Sequence, residues 1–189
     1  WGVSYNLNYN SSIIISNNVF NSGTGVYGSN STSVLISHNL FVFWAYFQSV
    51  YNATVSDNIF LCNNPTNTSQ MANNNFVNNL SWRSALNPYT LPPEANNGSG
   101  NISNQDPQFE TANATSSFTY TDDYHLKSTS PGKNAATDGT DIGLYGGNTP
   151  FVWGGLFSIP KITQTIITNP VVNQSTPINV NVKAKKAEL

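Results

Sequence analysis

The chain has 189 residues, enough for one domain or for one domain with a small appendage, and its formal net charge is −2. Only 8% of the residues are charged, against about 25% in ordinary soluble proteins, while Asn, Ser and Thr number 30, 22 and 18. No apolar run is long enough for a membrane-spanning helix. Arg83 is the single cation before Lys127, which argues against a nucleic-acid surface. Scarce helix formers and abundant strand and turn formers predict an all-β protein.

Four segments of the chain repeat one pattern. Each carries a shared asparagine, and these recur at steps of 21, 19 and 21 residues: Asn18, Asn39, Asn58 and Asn79. Apolar residues precede the asparagine in register: Ile15, Ile36, Val55 and Phe76. Apolar residues also follow it: Val19, Leu40, Ile59 and Leu80. Each unit is too short to bury its own apolar face, so the pattern predicts stacked repeats.

The shared asparagine follows a short strand and predicts a sharp corner. We expect this residue to adopt the left-handed conformation, and its amide to hydrogen-bond along the stack as an asparagine ladder. The ladder would be formed by Asn18, Asn39, Asn58 and Asn79. This pattern predicts a right-handed parallel β-helix with coils of about 19–21 residues. The alternative, four similar strands in a sandwich, leaves the asparagine column unexplained.

Each coil also has a segment that suggests a second strand: Gly2–Tyr5, Gly25–Gly28 and Ala45–Gln48. Residues 83–104 lack the period and are rich in Pro, Asn, Gly and Ser, which predicts an excursion loop.

Motifs in residues 106–147 carry a family resemblance: Asp106–Phe109, Asp123–Leu126, Ser130–Asn134 and Thr140–Gly147. Together with the coils they resemble the C-terminal end of secreted right-handed parallel β-helix repeat proteins from Bacteroidetes-like bacteria, which have the fold of the pectate-lyase-like superfamily. The resemblance implies β-helix coils over residues 1–158, end-cap motifs in 106–147 and a secreted or cell-surface location. That superfamily includes polysaccharide lyases, glycoside hydrolases, epimerases and surface proteins.

The composition changes in residues 159–189. Ile178, Val180 and Val182 alternate with polar residues, and lysines follow. This predicts two antiparallel strands joined near Asn169–Pro177, which would cap the helix or pair along its side.

Several ionisable residues are candidates for chemistry. Asp122, Asp123 and His125 could form a metal site or an acid–base pair; we favour a structural role, with Tyr124 and Leu126 buried and His125 solvated. For Asp138 and Asp141 we favour Asx turns over a calcium loop, which would need a late Glu.

His38 and Asp57 share one column, each directly before a shared asparagine. A hydrolase could use Asp57, but no second acid aligns with it, so we expect a solvated polar column.

Trp44 and Tyr46 lie in the most aromatic stretch and could stack on sugar rings, although a packed core turn is the stronger interpretation. The expected function is a module that contacts polysaccharide or another surface polymer, with no catalysis, cofactor or metal in this chain. The alternatives are the C-terminal portion of a polysaccharide lyase or glycoside hydrolase, and a structural element that meets a protein partner in an extracellular assembly.

Overall fold

The structure is a computed structural model that describes residues 12–21, 25–27, 33–43, 45–62, 71–83, 90–114, 118–152, 161–168 and 178–185. Every regular element in these ranges is a β-strand. The described ranges contain no helix that could cross a membrane. The chain divides into two compact units, Trp1–Phe151 and Val152–Leu189.

Parallel strands that recur from repeat to repeat form the sheets of the first unit. The five-stranded sheet has the order β1 (Ser12–Ser16), β4 (Ser33–Ser37), β8 (Thr54–Ser56), β11 (Asn75–Val77) and β13 (Asn97–Ser99). The four-stranded sheet has the order β2 (Val19–Asn21), β5 (Leu40–Phe43), β9 (Ile59–Cys62) and β12 (Leu80–Ser81). The remaining parallel pairs are β3 (Gly25–Tyr27) with β6 (Tyr46–Gln48), and β7 (Val50–Tyr51) with β10 (Met71–Ala72).

The register of these sheets confirms the alignment of the repeats. In the five-stranded sheet, partners follow the predicted column through Ile15, Ile36, Val55 and Phe76. In the four-stranded sheet, they follow Val19, Leu40, Ile59 and Leu80. The β3–β6 pair confirms the second strand of two repeats, while the segment Gly2–Tyr5 lies outside the described residues.

Alternate residues of the four-stranded sheet enter two different apolar clusters. On one side, Phe20, Phe41 and Phe60 stack with ring centroids 4.7 and 4.9 Å apart and join the core inside the repeats. On the other side, Leu40 and Ile59 belong to a second cluster, formed with residues 109–144. Both faces of this sheet are therefore buried, which explains its nearly continuous apolar sequence.

The second cluster corrects the position expected for the motifs in 106–147. The sequence predicts that they close the end of the stack, but Phe109, Leu126 and Ile142 pack in the same cluster as Leu40 and Ile59, on the side of the stack. The side needs this cover because the outward residues of successive repeats are apolar.

Side-chain amides link the repeats through a chain of hydrogen bonds. The Nδ2 of Asn18 donates to Asn39 Oδ1 at 3.2 Å, and the same bond is 3.0 Å from Asn39 to Asn58 and from Asn58 to Asn79. The backbone N–H of the donating residue bonds to the same oxygen in each step. Asn39, Asn58 and Asn79 are fully buried, so these bonds form away from water.

A fifth repeat lies in the second half of the segment predicted to be a loop. Asn97–Ser99 forms β13 in register with β11, and Asn101 Oδ1 accepts the next amide bond, from Asn79, at 3.0 Å. The prediction for 83–104 is therefore wrong over this part. Gly98 occupies the position of Phe76, which removed the apolar signal, and a Cβ there would lie 2.1 Å from the Phe76 carbonyl oxygen.

The second unit contains an antiparallel hairpin. Strands β14 (Lys161–Ile167) and β15 (Val180–Lys185) pair with Ile167 opposite Val180 and Thr165 opposite Val182, which confirms the two predicted strands. The connection that was predicted at Asn169–Pro177 lies outside the described residues.

Replacing Asn58 by Leu should destabilise the first unit strongly. The change removes the donors to Ile36 O and Asn79 Oδ1 and the acceptor for Asn39, and each buried group left unpaired costs about 1–3 kcal/mol. We expect a drop of several degrees in the melting temperature, measured by circular dichroism. Asn75→Leu, at an exposed outward position, is the matched control; an equal drop in both variants would contradict the role of the amide chain.

Candidate functional site

Four residues at one corner of successive repeats have positive φ angles. They form the corner column: Asn17 (56°), His38 (54°), Asp57 (60°) and Asn78 (50°). Each directly precedes an asparagine of the amide chain. The sequence predicts the left-handed conformation at that asparagine, whereas in the structure the residue directly before it has the positive φ. The shift has a physical reason, since a left-handed corner turns the chain so that the next amide points into the stack.

Residues 132–147, here named the brace, run along the corner column. Near the start of the brace, Ala135 O accepts a hydrogen bond from Asn78 Nδ2 at 3.1 Å. Near its end, Leu144 O and Gly146 O both accept from Asn17 Nδ2 at 2.9 Å. The brace therefore runs from the fourth repeat, which it contacts near its start, to the first repeat, which it contacts near its end.

Asp57 contacts the middle of the brace and is 1% exposed. Its Oδ1 accepts the backbone N–H of Thr137 at 2.7 Å, and its Oδ2 accepts the Thr137 hydroxyl at 2.6 Å. The backbone N–H of Gly143 donates to Asp57 O at 2.8 Å. Both oxygens of this carboxylate are thus used to hold the brace, and hydrogen bonds of this kind offset the cost of burying its charge.

His38 lies beside Asp57 and is 7% exposed. Its Nε2 is 3.8 Å from Asp57 Oδ2 and 3.7 Å from Asp138 Oδ2, beyond the length of a direct hydrogen bond. Its ring packs closely against Gly146 and Gly147. A Cβ added to Gly146 would lie only 2.6 Å from His38 Nδ1, so there is no room for a side chain there. Within the described part of the chain, that Nδ1 atom is buried without a hydrogen-bond partner.

The burial of His38 and Asp57 overturns the prediction of a solvated polar column. Their neighbours Leu40 and Ile59 point away from the inner core and need an apolar cover. The segment that covers them also covers the adjacent corner residues. Sequence periodicity could not reveal this, because the brace residues that bond to Asp57 and Asn17 lie 80 and 127 positions later in the chain.

A second cluster of ionisable groups lies on the surface of the first unit. His125 Nδ1 is 2.6 Å from Asp123 Oδ1, and the imidazole stacks on Tyr145 with centroids 3.6 Å apart. The backbone N–H of His125 donates to Asp123 and, with smaller contributions from the imidazole, holds the pKa of this carboxyl below its usual value. Burial, aided by the negative charge of Asp123, raises the pKa of Tyr145.

The catalytic candidates lie in two different environments. Asp123 and His125 contact each other and are about half exposed, whereas Asp57 is buried against Thr137. Tyr124 and Leu126 are buried and His125 is exposed, as the sequence predicts.

Three further acids of the first unit, Asp122, Asp138 and Asp141, bond to neighbouring residues. Asp122 accepts the hydroxyl of Thr119, and Asp138 Oδ1 accepts the Thr140 N–H at 3.0 Å, which confirms an Asx turn. Asp141 pairs with Lys133 at 2.8 Å. Among the residues that the structure describes, no group of three or more His, Cys, Asp or Glu side chains could hold a metal ion.

The sugar-stacking prediction falls on Trp44 and Tyr46. Trp44 lies outside the described residues, and the structure places only the backbone of Tyr46, in β6. Comparison of the chain with protein-family models, with curated proteins and with solved structures gives no match.

Replacing Gly143 by Ala should loosen the brace. The new Cβ would lie 2.5 Å from Ile59 Cδ1 in the second cluster, and overpacking of this kind costs about 1–3 kcal/mol. Gly139→Ala is a matched control, because both glycines have positive φ (93° and 80°) but Gly139 has open space around its Cβ position. We expect Gly143→Ala to melt several degrees below Gly139→Ala; equal melting temperatures would contradict the packing of the brace.

Acid should weaken the brace through Asp138. The Thr140 hydroxyl donates to this carboxyl and, with a smaller contribution from His38, lowers its pKa below 3.8. A carboxyl with a lowered folded-state pKa stabilises the fold above the unfolded value and loses that contribution as the pH falls through the folded value. The melting temperature of the wild type should therefore fall more steeply below pH 3.8 than that of Asp138→Asn. Parallel curves would contradict this.

Proposed function

We propose that residues 12–102 form a right-handed parallel β-helix with an asparagine ladder, and that the chain is a secreted or cell-surface module that contacts a polysaccharide or another surface polymer without cleaving it. The parallel register between successive repeats supports the helix. The right-handed sense is supported by the strong preference of parallel connections for that hand. The extracellular location rests on the resemblance to β-helix proteins of Bacteroidetes-like bacteria with the pectate-lyase-like fold.

The burial of Asp57 is the observation that carries the non-catalytic part of the proposal. Glycoside hydrolysis uses two carboxyl groups that face the substrate at a defined separation. Asp57 is the single acid between residues 12 and 83, and both of its oxygens are bonded to Thr137 under the brace. Asp57 thus supports the fold and does not face a substrate, which favours contact with a polymer over its cleavage.

A second candidate function is polymer cleavage with Asp123 and His125 as a general base. It is favoured by one observation: Asp123 holds His125 Nδ1 at 2.6 Å in an exposed pair, an arrangement that orients the other imidazole nitrogen for proton transfer.

One experiment separates these two functions. The purified chain is incubated with neutral and acidic polysaccharides, with calcium or with chelator. Binding is followed by co-sedimentation, and cleavage by new reducing ends and unsaturated products. We expect binding without products. Products that disappear in Asp123→Asn but persist in the matched control Asp122→Asn would replace the binding proposal with the catalytic one.

A further inference from the structure

A row of residues on the outward side of the five-stranded sheet crosses all five repeats in register. This outer row consists of Ile14, Leu35, Thr54, Asn75 and Asn97. Neighbouring members belong to paired strands, so their Cα atoms lie about 4.8 Å apart along the stack. The row is therefore a regularly spaced line of residues along the stack.

Four of the five members of the outer row are open to solvent, unlike the outward side of the four-stranded sheet. Thr54, Asn75 and Asn97 are exposed and Ile14 is 69% exposed, while Leu35 is half-buried. At the corresponding outward positions of the four-stranded sheet, Leu40 is 1% exposed because residues 109–144 cover it. Only one of the two large sheets has thus been covered by the rest of the first unit, as far as the described residues extend.

The chemistry of the row is aliphatic at one end and polar at the other. Ile14 and Leu35 offer apolar contact, Thr54 offers a hydroxyl, and Asn75 and Asn97 offer amides that donate and accept. A neutral polysaccharide presents the same two kinds of surface, C–H patches and hydroxyl groups, repeated along a chain.

The charge of the outer row and of the first unit disfavours binding of an acidic polymer. The row contains no cation to pair with a carboxylate or sulfate. Residues 1–151 contain three Lys or Arg and eight Asp or Glu, which gives this part of the chain a net charge of −5. A polyanion would be repelled by that field, whereas a neutral chain would not.

We propose that the outer row binds a neutral polysaccharide that lies along the stack and crosses the five strands. This inference rests on the proposed function and adds to it the face and the charge class of the polymer. Hydrogen bonds from Thr54, Asn75 and Asn97 hold the hydroxyls, while Ile14 and Leu35 contact the apolar edge of the sugar rings.

The test compares two double variants of the full chain. Thr54→Ala with Asn75→Ala removes two polar groups of the row, while Thr121→Ala with Asn148→Ala removes the same groups at exposed positions elsewhere. Binding to xylan, cellulose and galactomannan, and to polygalacturonate and alginate as acidic probes, is measured at low and high salt, and folding is checked by melting temperature.

We expect binding to a neutral probe that does not depend on salt and that weakens about tenfold in the row variant but not in the control. Unchanged neutral binding in the row variant would overturn the assignment of the face. Binding to acidic probes alone would overturn the neutral class and leave the proposed function standing.

Two further outcomes are distinct from these. Binding to no probe would overturn the proposed function together with this inference. Self-association that is lost in the row variant, without polymer binding, would show that a second copy of the chain covers the row.

Discussion

The side-chain amide of Asn58 ties three repeats of the stack together. Its Nδ2 donates to Ile36 O in the preceding repeat, to Ser56 O in its own turn and to Asn79 Oδ1 in the next repeat. Its Oδ1 accepts from Asn39. Because the amide is fully buried, a slip of one residue would leave all of these groups unpaired and would also turn the core residues outward. A single register is therefore strongly preferred.

The same corner geometry creates the attachment line for the brace. A left-handed residue before each buried amide leaves its own side chain at the edge of the sheet, where Asn17, Asp57 and Asn78 bond to residues 135–146. The amide chain thus fixes the repeats along the stack, and the brace connects four repeats on its side. The two sets of bonds support each other, since the corner residues are aligned only when the amides are.

Periodic features could be predicted from the sequence, and features that occur once could not. The columns through Asn39 and Asn58 were predictable because each repeat provides an independent copy of the same signal. The β13 strand was missed because Gly98 breaks the apolar period, although Asn101 keeps the amide spacing of 22 residues from Asn79. The burial of Asp57 depends on Thr137, 80 residues later, and no local pattern encodes that contact.

The brace covers the one acid that the sequence places between residues 12 and 83. Asp57 is 1% exposed, and the other seven acids of residues 1–151 come later in the chain, beginning with the exposed Glu94. Ser56, directly before Asp57, is 6% exposed, while Thr54, two residues earlier, is open to solvent. The covered part of the surface therefore ends between Ser56 and Thr54, within strand β8. A ligand on the outer row would meet hydroxyl, amide and aliphatic groups, and the surrounding negative potential would select among ligands by repelling the anionic ones.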